Sequence, residues 1–252
     1  MDTSLAELIS LSRELGKTEY QLAIFGEGNT SALATDGRFW VKASGAMLST
    51  IDERGFVALD RAATVALLDE ELTTDAEIQT AMQSCCTSSS GARPSIEAMM
   101  HAFLLGLPGV AFVGHTHPTM VNALLCAQQA EEIVTASYCP DQIVCCGPAP
   151  VFVPYTDPGL PLARLVRERV NAWIEKYNCM PKAIMLQNHG LFAIGSTPQQ
   201  VMSCTLMWAK TAQIIIGAMA CGGVNTLTAA QVDRIYTRPD EKYREKIISG
   251  QH

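Results

Sequence analysis

Histidine is scarce in this chain, with five residues in 252, and aromatic side chains make up only 6% of it. Basic residues are also few: 18 Lys and Arg stand against 25 Asp and Glu, leaving a net charge of -7. No stretch concentrates the basic residues, so the electrostatic footprint of a nucleic-acid or anionic-membrane partner is missing. An anionic ligand must therefore be small and held locally. The nine cysteines include the adjacent pairs Cys85-Cys86 and Cys145-Cys146 but no CxxC spacing, which excludes the usual zinc-ribbon and dithiol redox motifs. The opening MDTSLAELISLSRELG carries acids and an amphipathic spacing in place of a basic stretch followed by an apolar one, so no signal peptide is expected. The cysteines then read as reduced thiols and the location as cytoplasmic. The apolar segment 201–224 is interrupted by Ser203, Lys210 and Gln213, and it reads as a buried or interface helix, with no membrane partner.

What is present suits a single globular domain over residues 1–252. The chain is 48% apolar and 17% charged, and no linker-like run divides it. Ser4 and Glu7 have capping-box spacing before a helix that Gly16 ends. Asp36-Gly37 reads as a hairpin turn between two short strands, of which RFWVKA is the clearer. Asp60 can cap a helix to about residue 71, and 73–93 has no strong periodicity and reads as irregular. A helix over 95–105, a β-branched strand ending in GHTHP, and a helix opened by Pro118 follow. Further along come a helix over 162–177, the strand KAIMLQ, the turn NHG, the strand LFAIG and a long helix opened by Thr197-Pro198. This alternation predicts an α/β sandwich, with the strand directions left open.

Two of the five histidines, His115 and His117, end the GHTHP strand. Alternation puts them on one face with Cα atoms about 6.5–7 Å apart, within reach of one metal ion. Such a pair by itself better suits two satisfied histidines near a turn. His189 lies in the NHG turn, and three neutral imidazoles plus a water would make an open catalytic metal site. Local sequence does not bring His189 to the other two. Glu97, placed in the first turn of its helix, can face a cleft, and His101 one turn later suits a supporting or packing role. The loop GEGNTS (Gly26, Gly28, Asn29, Thr30, Ser31) offers backbone N–H groups for an anion, although a ligand-free hairpin loop fits it equally well. It is neither a phosphate-binding Walker loop nor a dinucleotide fingerprint. KASG (Lys42, Ser44, Gly45) is a second loop of that kind, in which Lys42 also fits a plain exposed strand position.

Taken in order, GEGNTS, KASG, PSIE, GHTHP and NHG resemble the motifs of the class II aldolase/adducin family over residues 26–190. The resemblance implies a three-layer α/β sandwich with a central, mainly antiparallel sheet flanked by helices, and a homotetramer with active sites between subunits. It implies that His115, His117 and His189 bind zinc, or Mn, Co or Fe at the same ligands, and that Glu97 is the acid/base. It matches the family's phosphate-holding positions to Gly28, Asn29, Ser44, Gly45 and Ser95, with Ile96 departing where fuculose-phosphate aldolase has a second serine. The family's proton-donating tyrosine from the adjacent subunit falls at Tyr138, and neither Tyr236 nor Tyr243 has a motif to anchor it in that role.

The implied activity is retro-aldol cleavage of a ketose phosphate or related sugar through a metal-stabilised enediolate. Ser137 stands where the epimerase branch carries an Asp, which favours the aldolase. Epimerase or dehydratase chemistry, an adducin-like scaffold, and a plain small-molecule binding module using GEGNTS are the competing readings. The retained histidines and Glu97 speak against the last two.

Overall fold

The computed structural model describes residues 3–87 and 91–250. Its strands are β1 (Asn29–Leu33), β2 (Arg38–Lys42), β3 (Phe56–Asp60), β4 (Phe112–Thr116), β5 (Val151–Val153), β6 (Ala183–Leu186) and β7 (Gly190–Gly195). They form one seven-stranded sheet in the order β3-β2-β1-β4-β7-β6-β5. Every neighbouring pair is antiparallel except β5 and β6, which run parallel. The mainly antiparallel sheet implied by the resemblance is therefore present.

The helices are α1 (Thr3–Leu15), α2 (Arg61–Ala66), α3 (Asp75–Ser84), α4 (Ala98–Leu104), α5 (Thr119–Leu125), α6 (Ala130–Thr135), α7 (Pro140–Cys146), α8 (Leu160–Tyr177), α9 (Pro198–Ala220), α10 (Ala229–Thr237) and α11 (Pro239–Ile248). Side chains alternate across each strand, so the sheet buries both faces. Val41, Val57, Val113, Ile184 and Phe192 pack under α4 and α8. Ala32, Phe112, Met185, Leu191 and Ala193 pack under α1, α5 and α9. These are the three layers.

Helix α9 is the one helix among the described residues long and apolar enough to cross a membrane, with 44% of that window buried. Its Val201, Met202, Trp208, Ala212 and Ile215 belong to the second core cluster, as expected of a core helix. Thr197 caps it by accepting from the Gln200 N–H at 3.2 Å.

Several local expectations change. The segment 73–93 is not irregular: α3 lies within it, opened by a full capping box in which Thr74 accepts from the Glu77 N–H and Glu77 accepts from the Thr74 N–H. The backbone donors of Thr73 and Thr74 hold the Glu77 carboxyl down to about 2. Only Met82 of α3 is buried, so the helix has almost no apolar stripe to betray it. The helix capped by Asp60 stops at Ala66 and passes into a 3-10 turn, and α1 already includes Thr3, ahead of the expected Ser4 cap. All nine cysteines are free thiols.

Gly114 lies between α1 and α9, where an added Cβ would come within 2.7 Å of Val201 Cγ1 and 3.1 Å of Leu15 Cδ1. Gly217, on the exposed side of α9, has nothing within 4 Å of such a Cβ. Gly114→Ala is expected to destabilise the protein by about 1–3 kcal/mol through overpacking. Gly217→Ala is expected to stabilise it by about 0.5–1 kcal/mol. Urea titration of both variants checks the pair of signs.

Candidate metal centre

Strand β4 is paired on both sides, and the two registers assemble the site. On one side Asn29 of β1 lies opposite His115. On the other, Thr116 lies opposite Leu191 and Leu186 opposite Gly190, which brings the NHG turn beside the end of β4. His115, His117 and His189 thereby offer ligand nitrogens that all lie within 4.8 Å of one another. Their rings meet edge to face, with centroids 4.8, 5.0 and 5.2 Å apart.

The turn is built for this approach. Asn188 adopts a left-handed backbone (φ 55), and the Asn122 side chain donates to the His189 carbonyl at 2.9 Å. At Gly190 a Cβ would stand 2.6 Å from the Thr116 carbonyl oxygen and 2.8 Å from His117 Cδ2. At Gly28 (φ +66) it would stand 2.6 Å from the His115 carbonyl oxygen. Both glycines therefore allow backbone to press against the histidine strand, which any side chain would prevent.

His115 is fully buried and stacks on Phe192 at 4.2 Å. Its Nδ1 donates to the Leu191 carbonyl at 3.2 Å, which leaves Nε2 as the lone-pair nitrogen facing the cluster. Burial lowers the pKa of His115 and of His117; His117 and His189 lower the first further, and His189 lowers the second against the opposing charges of Glu27 and Glu97. Both imidazoles are thus held neutral, the form a metal requires. His117 Nε2 lies 3.0 Å from His115 Nε2, so with the latter unprotonated the close approach needs a proton or a cation between the two nitrogens. This donor set fits an open three-imidazole site for a divalent cation.

Glu97 stands just ahead of α4, not in its first turn as the sequence suggested. Pro94 bridges to Ala43, and the Ser95 N–H donates to the Lys42 carbonyl at 3.2 Å, so the PSIE segment is tied to the end of β2 before the helix can begin. The Glu97 side chain caps nothing and turns inward. Its Oε1 lies 3.3 Å from His189 Nε2, and its Oε2 lies 3.5 Å from His115 Nε2. Asn29 Nδ2 donates to Glu97 Oε2 at 2.6 Å and reaches Ser95 Oγ at 3.3 Å.

Lys42 is buried, at 3% exposure, and is not a surface strand residue. Its ammonium donates to the Gly26 carbonyl at 3.1 Å and the Ala46 carbonyl at 2.6 Å, clamping the two glycine loops together. Burial lowers its pKa, and the charge of Glu97 opposes that shift. Ser44 and Ser95 line a cavity of about 270 Å³ beside Arg93, Asp75, Gln79 and Gln83, outside the histidine cluster.

The structure does not bring Tyr138 to that cluster. Its hydroxyl donates to the Ile133 carbonyl at 2.7 Å, and burial raises its pKa. Tyr236 packs under Lys242 Nζ, 3.8 Å from its ring centre, and Tyr243 is exposed. Sequence reasoning passed over Arg93, and it left Lys42 without a partner. A lysine flanked by alternating apolar residues at the end of a strand was the available signal.

Gly190→Ala is expected to weaken divalent-cation binding at least tenfold, roughly the loss seen when the surroundings of a ligating histidine are disturbed. Competition against a chromophoric chelator measures it, and wild-type affinity in the variant would remove the turn from the site.

Comparison with known proteins gives a consistent placement. The model of the family described as "Class II Aldolase and Adducin N-terminal domain" matches residues 6–216. The uncharacterized oxidoreductase YuxG of Bacillus subtilis (strain 168) is 27% identical over 97% of this chain, which spans about a third (33%) of that relative's length. Among solved structures, the N-terminal class II aldolase domain of a conserved Thermoplasma acidophilum protein superposes with a TM-score of 0.69 at 25% identity, covering 86% of this chain and 95% of that one. The L-fuculose 1-phosphate aldolase of Glaciozyma antarctica PI12 has the same fold, with a TM-score of 0.63 at 16% identity over 98% of this chain and 87% of its own. YgbL of Escherichia coli, described as a putative aldolase/epimerase/decarboxylase, gives 0.67 at 21% identity over 92% and 97% of the two chains. With its motifs, its sheet order and a family match over most of its length, the chain belongs to the class II aldolase and adducin family.

Proposed function

We propose that this protein is a divalent-cation-dependent aldolase that cleaves a ketose phosphate between C3 and C4 and, in reverse, joins the two fragments. The observation that carries this reading is the convergence of three imidazole donors within 4.8 Å, two of them in contact with one nearly buried carboxylate. His115, His117 and His189 would hold the cation. Zinc suits three neutral imidazoles, and manganese, cobalt or iron can use the same ligands. When bound, the cation supplies Lewis-acid polarisation of the substrate carbonyl.

The chain's own residues manage the protons. As the C3–C4 bond breaks, its electron pair stays on C3 and the C4 hydroxyl becomes an aldehyde by losing its proton. Glu97 delivers a proton to C3 in cleavage and removes it in condensation. Its 6% exposure keeps bulk water from competing for that carbon. Tyr138 is tied to Ile133 in its own chain, so as the partner of the C4 oxygen it would serve a neighbouring subunit of a homotetramer. Exposed Ile24, Phe25 and Met47 near the glycine loops are apolar surface that such an assembly would cover. The reading takes the chain as one catalytic domain. Its nine free thiols suit a reducing cytoplasm.

The anionic end of the substrate would sit against Ser44, Gly45 and Ser95. Arg93, whose guanidinium makes no hydrogen bond or ion pair among the described residues, shares a cavity with Ser44 and Ser95. Gly28 and Asn29 then act more on the histidine strand and on Glu97 than on the phosphate. Arg93→Ala is expected to raise KM for a ketose phosphate by about 10- to 100-fold, the value of a charge-assisted hydrogen bond, with kcat little changed and with no effect on the unphosphorylated sugar.

The decisive experiment measures metal content of the purified protein together with aldehyde release from a panel of ketose 1-phosphates, with and without chelator. Near-stoichiometric metal with chelator-sensitive cleavage is expected. Glu97→Gln should keep the metal and lower kcat by about 10²–10⁴-fold. Metal with an epimerised or dehydrated product would replace the aldolase by an epimerase or dehydratase, and a metal-free, inactive protein would point to a scaffold.

A further inference from the structure

Behind Glu97 lies a chain of buried polar groups that the reaction itself does not use. Ser31 Oγ and His101 Nδ1 are 2.6 Å apart, and His101 Nε2 is hydrogen-bonded to Asn29 Oδ1. Asn29 Nδ2 in turn donates to Glu97 Oε2 at 2.6 Å. Ser31 and His101 have no exposure, and Asn29 has 5%. The three residues come from β1 and α4, and the His101 ring also lies 5.3 Å from Phe192, whose ring stacks on His115.

With Asn29 Nδ2 on Glu97 and Asn29 Oδ1 on His101, the bonds run in one direction: the amide presents its NH2 to the carboxyl and its carbonyl to the ring. His101 Nε2 must then carry a proton. Burial lowers the His101 pKa to about 3, so the ring is neutral and its Nδ1 accepts from the Ser31 hydroxyl. The opposite amide orientation would aim the Asn29 carbonyl at the Glu97 carboxylate, placing two acceptors face to face in a site where water cannot separate them.

We propose that His101 is a positioning residue for Glu97: by donating Nε2–H to Asn29 Oδ1, it locks the Asn29 amide so that an N–H always points at the carboxylate. This rests on Glu97 being the acid/base of the proposed function. Ser31 fixes the tautomer, His101 fixes the amide, and the amide holds Oε2, which leaves Oε1 on the side of His189. An asparagine alone could flip about its last torsion, and the histidine removes that freedom.

The first test needs no turnover. In cation-free protein labelled with ¹⁵N-asparagine, Asn29 should show two well-separated side-chain protons, one shifted downfield by the carboxylate. The pattern should persist in His101→Gln, whose amide N–H reaches as far as Nε2, and collapse in His101→Ala. Retention of the wild-type pattern in His101→Ala would overturn the proposal.

The second test is kinetic. His101→Ala should lower kcat by about 10- to 100-fold, with KM within about twofold and metal content unchanged, while His101→Gln recovers most of the loss. In an Asn29→Ala background, His101→Ala should cost less than about threefold more, because the two act as one unit. Full multiplication of the two losses, or a kcat that follows only the fall in Tm, would reduce His101 to packing. If the wild type cleaves no ketose phosphate, the aldolase reading fails, while the Asn29 resonances still decide this proposal.

Discussion

Two hydrogen-bonded ladders meet on strand β4, and the geometry of the site depends on both registers at once. Pairing with β1 puts Asn29 beside His115, and pairing with β7 carries the NHG turn to the end of the same strand. A slip of one residue on either side would turn the inward set outward. His115 would then leave Phe192 and the Leu191 carbonyl, and Asn29 would leave Glu97. Much of the surrounding structure holds those registers: α1 and α9 press on one face at Gly114, while α4 carries His101 against the other. Gly28 and Gly190 are the points where backbone approaches the strand too closely for any Cβ.

Parts of this were legible in the sequence for local reasons. His115 and His117 share a face because strand side chains alternate, and the burial of β4 made that alternation functional. The hairpin at Asp36-Gly37 and the Thr197 cap of α9 follow from turn and cap chemistry that needs no tertiary context. Other parts could not be read locally. His189 joins its partners only through the β4–β7 pairing, a contact across more than seventy residues that no window of sequence contains. Its membership came from the resemblance to a family, and the ladder supplies the physical cause.

The misses have physical explanations as well. Helix α3 is mostly polar and buries little, so periodicity was silent, although Thr74 and Glu77 carried a capping signal. Glu97 fell outside its helix because the preceding residues are hydrogen-bonded to β2, and that tether frees the carboxylate from helix capping. Lys42 looked like a surface residue because a lysine on a strand usually is one, and here its ammonium finds two loop carbonyls in the interior. The contacts of Asn29 with Glu97 and His101, additional to the anion-holding position that the resemblance gives it, cross between β1 and α4 and leave no local trace.

The separation of the three histidines along the chain has a thermodynamic side. His115 and His117 are close neighbours, but His189 lies beyond α5, α6, α7, β5, α8 and β6. A cation held by all three would cross-link a loop made of most of the central chain, and only the folded topology can close it. An unfolded chain holds these three imidazoles at no fixed separation, so the three-histidine site exists only in the fold. Ligation would then be linked to global folding: each tenfold rise in free cation above the dissociation constant would add up to about 1.4 kcal/mol to the stability of the whole domain, less whatever the unfolded chain's thiols bind. Cation supply would then act on the stability of the fold as well as on the occupancy of the site.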